Sequence, residues 1–91
     1  MVATNRRQLE QIPGVGRKIA QDLRSIGLNS VNDLKGRSPE KLYKRLCNFK
    51  AVPVDKCMLY VLRCAVYYAS NKNHDPKLLK WHNWKNKKIA F

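Results

Sequence analysis

Ile12-Pro13-Gly14-Val15-Gly16 is the stretch on which the reading of this chain turns. Two glycines, one residue apart, follow a proline. Leu9 and Ile12 form a short apolar face before it, and Ile19, Ala20, Leu23 and Ile26 form a longer one after it, both at helical spacing. Pro13 lacks an amide hydrogen and disfavours helix at Ile12, so it stops the first helix. The glycines tolerate the positive φ and close approach that a tight hairpin needs, and the exit of the hairpin opens the second helix. Such a hairpin turns backbone N–H groups outward at a helix N-terminus, where the dipole favours an anion. Arg17 and Lys18 follow immediately.

Working outward, most boundaries carry their own signal. Asn5 can cap the first helix, with Gln8 as its reciprocal partner. The second helix runs from near Gly16 to Ile26. Gly27 stands at its C′ position, and Leu28 supplies the accompanying apolar contact. Ser30 and Asp33 form a capping box for a short third helix, with Val31 and Leu34 facing inward and Gly36 ending it. Ser38-Pro39-Glu40 opens a fourth, burying Leu42, Tyr43 and Leu46 and leaving Lys41, Lys44 and Arg45 outside. Pro53 and Asp55 mark the start of a fifth, through Ser70. Its residues 57–69 are apolar nearly all round, which predicts a central post buried on most sides. Arg63 within it must reach the surface or pair with an acid, because an unpaired buried charge is too costly. A polar linker, residues 71–74, leads to Asp75-Pro76 and a sixth helix to Trp84, with Trp81 and Trp84 on one face. No strand alternation is present. The expected fold is all-α, a compact bundle of five or six short helices. Residues 1–70 form the domain, and residues 71–91 form a basic, tryptophan-containing helix and tail that packs on it.

Composition narrows the partner. The 91 residues carry 19 Lys and Arg against 6 Asp and Glu, a net charge of +13, which is the footprint of a polyanion binder. The longest apolar stretch, Cys57 to Ala69, is too short to span a membrane and holds Arg63. No signal-peptide pattern opens the sequence, so the expected compartment is the cytoplasm. Cys47, Cys57 and Cys64 form no CxxC pair and read as free, mostly buried thiols. Cys57 and Cys64 share a helical face, but two turns separate them by about 10 Å, too far for a disulfide. His74 and His82 match no zinc spacing, and no nucleophile signature or paired-carboxylate metal site is visible. No catalysis, metal or cofactor is expected.

Leu9-x-x-Ile12-Pro13-Gly14-Val15-Gly16-x-Lys18-x-Ala20-x-x-Leu23 resembles the helix-hairpin-helix motif of DNA repair and recombination proteins. The resemblance implies that Gly14 and Gly16 offer backbone amides to a DNA phosphate without reading bases. It implies that Ile12 and Val15 anchor the hairpin, that Lys18 adds a charged contact, and that Ala20 lets two helices pack closely. Across nearly the whole chain, residues 12–16, 38–43, 54–67 and 80–85 resemble the small bacterial pathogenicity-locus or mitomycin-resistance-like proteins. These resemblances imply a SAM-domain-like bundle in which two hairpins pair. The second would fall at Phe49-Lys50-Ala51-Val52-Pro53-Val54-Asp55-Lys56. There Pro53 offers no N–H and Asp55 repels phosphate, so the second hairpin is degenerate.

The expected function is therefore sequence-independent binding of DNA, duplex or single-stranded, at its phosphate backbone. Pro13, Gly14, Val15, Gly16, Arg17 and Lys18 form the expected site, with auxiliary contacts from Lys50, Lys56, Lys80, Lys85, Lys87 and Lys88. Trp81 and Trp84 either stack on unpaired bases or seal the core. The resemblance implies a role accessory to DNA repair, recombination or damage resistance, within a larger assembly. The alternative is a protein-interaction adaptor whose basic surface meets an acidic partner. Substituting Gly14 or Gly16 by a bulky residue is expected to weaken phosphate binding with little loss of helicity.

Overall fold

The computed structural model describes residues 9–88. Three α-helices form its frame: α1 (Arg17–Ser25), α2 (Pro39–Lys50) and α3 (Lys56–Ser70). Four 3₁₀ turns connect and flank them, at Leu9–Gln11, Val31–Leu34, Pro76–Leu79 and Trp81–Trp84. There is no strand among the described residues. The described residues are all-helical, but the expectation of five or six helices is corrected among them to three α-helices and four short turns. The first-helix cap proposed at Asn5 and Gln8 lies outside the described residues.

The caps follow local chemistry. Ser30 and Asp33 form the reciprocal box, each side chain taking the other residue's amide. The four-residue turn they open reaches Gly36, whose φ of +71° precludes further helix. Ser38 accepts the Lys41 amide at the start of α2, and Pro39 occupies its first turn. At the end of α1, the Leu28 amide returns to the Leu23 carbonyl and the Gly27 amide to that of Arg24. This double closure needs the positive φ of Gly27, +93°.

The segment expected to be one helix from Asp75 to Trp84 is split. Lys80 is extended (φ −95°, ψ 113°), and side chains replace the missing helical bonds. The Asn83 amide donates to the Lys77 carbonyl at 2.7 Å, and the Trp84 indole N–H to the Leu78 carbonyl at 2.8 Å. Two carbonyls that a continuous helix would have satisfied through its own backbone are thus taken by side chains.

α3 is the central post. α2, the Val31–Leu34 turn and both C-terminal turns pack on it. Val61, Leu62, Cys64, Ala65 and Val66 are buried, as are Leu23 and Ala20 of α1 and Leu42 and Leu46 of α2. Each large apolar side chain contributes about 1.5–3 kcal/mol on burial. Arg63 lies within this core and is paired there. Its Nε donates to Glu40 at 3.0 Å, and its terminal nitrogen to the carbonyls of Trp84 and Lys85 at 2.8 and 3.4 Å. One guanidinium therefore ties α3 to α2 and to the C-terminal turn, which answers the demand the sequence placed on it.

Candidate nucleic-acid interface

Leu9 and Ile12 are both buried, and the Ile12 amide closes on the Leu9 carbonyl at 3.2 Å. The Val15 amide then closes on the Ile12 carbonyl at 3.0 Å, completing a tight turn around Pro13 and Gly14. Val15 points inward and anchors the turn, so its side chain is not available to a ligand. Gly14, Gly16, Arg17 and Lys18 are exposed, and Pro13 is half-buried.

The two glycines have different reasons to be there. Gly14 has a φ of +84°, which strains any residue with a Cβ. A Cβ there would also lie 3.0 Å from Cδ1 of Trp81. Gly16 has an ordinary φ of −90°, and a Cβ there would meet nothing within 4 Å. A side chain at Gly14 therefore meets strain and a close contact that a side chain at Gly16 does not. The Trp81 contact had no signal in the sequence, because it joins residues at opposite ends of the described chain.

Gly16 is the N-cap of α1, and no side chain caps this helix. The amides of Arg17, Lys18 and Ile19 have no acceptor within the helix, and Gly16 before them is exposed. The other two α-helices differ. Ser38 fills the cap of α2, and the Asp55 carboxylate fills that of α3 by accepting the Cys57 amide at 2.8 Å. That bond holds the Asp55 carboxyl below the usual carboxylate range. The turn between α2 and α3 thus already carries its own anion.

The auxiliary lysines are not equivalent. Lys50 is committed to Asp22 at 3.1 Å. This pair takes the one acid of α1 and leaves Lys18 without an ion-pair partner among the described residues. Lys56 and Lys85 line one open cleft beside Trp81. Lys80, Lys87 and Lys88 are exposed on the C-terminal segment. Trp84 is buried in the core, whereas Trp81 is half-buried and packs on it from the hairpin side.

The thiols also separate. Cys64 is buried, Cys47 half-buried and Cys57 exposed, which corrects the expectation of mostly buried cysteines. Burial pushes the Cys64 thiol up to about 11. Its sulfur lies 3.5 Å from the Leu78 carbonyl and 3.9 Å from that of Pro13, beneath the hairpin. The Cys57 thiol is also raised, mainly by its hydrogen bond to Asp55. His74 stacks on Tyr68 and bonds its carbonyl at 2.8 Å. Among the described residues, no group of three or more His, Cys, Asp or Glu is placed to hold a metal ion. No helix among them is long and apolar enough to cross a membrane.

The sequence profile of the pathogenicity-locus family matches residues 3–89. The chain belongs to that family. Neither the curated proteins nor the solved structures contain a significant match to it. The matched span takes in the hairpin, all three α-helices and the C-terminal turns, so the contact between Gly14 and Trp81 lies inside the family's own extent.

Proposed function

We propose that this pathogenicity-locus family member is a non-catalytic module that binds the phosphate backbone of DNA without regard to sequence. The Leu9–Leu23 segment acts as a helix-hairpin-helix element. The observation that carries the reading is the uncapped start of α1. Three amides have no helical acceptor and no capping side chain, behind an exposed glycine and beside the exposed cations of Arg17 and Lys18. A phosphate oxygen there takes the place that a Ser or Asp side chain takes in the other two helices. The net charge of +13 supplies long-range attraction. Binding through few phosphates is weak, on the order of micromolar, and falls steeply with salt. The resemblance of the Leu9–Leu23 segment to the helix-hairpin-helix motif suggests a role accessory to DNA repair or damage resistance.

The test is fluorescence anisotropy with labelled duplex and single strands across a salt series, comparing the native chain with Lys18→Ala. Loss of one phosphate contact lowers the salt slope on duplex by about 0.9. An unchanged slope would remove Lys18 from the interface. An adaptor function is the second reading, favoured by the exposure of Phe49 (60%) and Val52 (57%) at the turn between α2 and α3. In that case DNA affinity is negligible near physiological salt.

A further inference from the structure

Asp55, Lys56, Cys57 and Tyr60 from the start of α3 face Trp81, His82 and Lys85 from the C-terminal turn across an open cleft of about 290 Å³. That volume is at the low end for small-molecule sites, about 300–1,000 Å³. It suits one flat ring system rather than a larger ligand. The lining combines two aromatic rings, an imidazole, two ammonium groups and one carboxylate, that of Asp55, which is engaged by the Cys57 amide. Tyr60 is held from within the core by Arg63, whose guanidinium carbon lies 5.8 Å from the ring centre. Trp81 is also the wall against which Gly14 packs, so the cleft and the hairpin share a side chain.

The combination selects the ligand. An inorganic anion needs the ammonium groups but not the aromatic walls, and an apolar side chain needs the walls but not the charge. A flat π-system with its own phosphate needs both. A base inside a duplex has both faces covered by its neighbours and cannot enter without leaving the stack. We propose that this cleft takes one unpaired nucleobase, stacked against Trp81 and Tyr60, with its phosphate on Lys56 and Lys85. The proposal rests on the backbone-binding reading and gives it a substrate class: single-stranded or frayed nucleic acid in preference to blunt duplex.

Three probes of equal length separate the parts: an oligothymidylate, an abasic single strand with the same phosphates, and a blunt duplex. Trp81 emission reports occupancy of the cleft, against a steady background from the buried Trp84. The oligothymidylate binds about tenfold tighter than the abasic strand and quenches the emission. Replacing Lys56 and Lys85 together by Ala lowers its salt slope by about 1.4, with a smaller effect on the duplex. Both lysines are exposed, so the variant keeps the native far-UV spectrum. Equal affinity for the thymidylate and abasic strands with unchanged emission would overturn the cleft and leave the hairpin reading standing. Failure of all three probes to bind would overturn both.

Discussion

Replacing Gly16 by Ser separates the stability of the hairpin from the phosphate binding proposed for it. The backbone at Gly16 is already in the extended region that an N-cap serine adopts (φ −90°, ψ −174°), and no atom lies within 4 Å of the new Cβ. The serine Oγ can accept the amide of Lys18 or Ile19, as the Ser38 Oγ accepts the Lys41 amide at 3.3 Å in α2. Ser exceeds Gly as an N-cap by a few tenths of a kcal/mol, which raises the melting temperature by about 1–2 °C in a domain of this size. The same bond takes an amide away from the phosphate. A hydrogen bond to a charged group is worth about 1.5–3 kcal/mol, so DNA affinity falls about tenfold to a hundredfold. The salt slope stays as it was, because no cation is lost. Gly16→Ala is the control: a methyl group offers no acceptor, so it weakens the helix instead. The assays are thermal denaturation followed by circular dichroism and anisotropy across a salt series. A serine variant that is more stable and binds DNA as tightly as the native chain would refute the placement of the phosphate at α1.

Gly14→Ala acts on the fold instead. Its positive φ and the Trp81 contact together cost about 2 kcal/mol, lowering the melting temperature by about 10 °C; a native-like transition would show that the turn relaxes. Iodoacetamide should modify the exposed Cys57 in the native state and reach the buried Cys64 only on global unfolding, as peptide mass spectrometry would show. Asp33, lowered chiefly by the Asn29 amide, and Asp55, lowered by that of Cys57, both titrate below their unfolded values. Their stabilisation is complete above the unfolded value and is lost as pH falls through the folded one. Melting between about pH 5 and about pH 2 should therefore show a decline that Asp33→Asn and Asp55→Asn flatten; identical profiles for native and substituted chains would contradict this.

The parts of the fold that the sequence made legible are those whose chemistry closes within a turn. Ser30 with Asp33, Ser38 with Pro39, Asp55, and Gly27 with Leu28 each announce a helix end in adjacent residues, and each stands where expected. The apolar run of α3 likewise identified the central helix. The split at Lys80 was hidden, because it depends on the Asn83 and Trp84 side chains reaching back to carbonyls six residues earlier. At the candidate site, the exposure of Gly14, Gly16, Arg17 and Lys18 followed from the local pattern. The commitment of Lys50 to Asp22, and the placing of Lys56 and Lys85 on one cleft, did not. Those depend on how α1, α2, α3 and the C-terminal turn are set against one another.

The contact between Gly14 and Trp81 sets the order in which the candidate site is made. The hairpin residues leave the ribosome well before Trp81, the side chain that walls the hairpin. The hydrogen bonds of α1 close within nine residues, but the turn before it stays unbraced until Trp81 has been synthesised. Joining the two is a long-range step, with a loop-closure cost that local helix formation does not carry. A chain cut just before Trp81 would keep every residue of the hairpin and lose its wall. Bracing of the turn at Gly14 thus waits on residues made long after it.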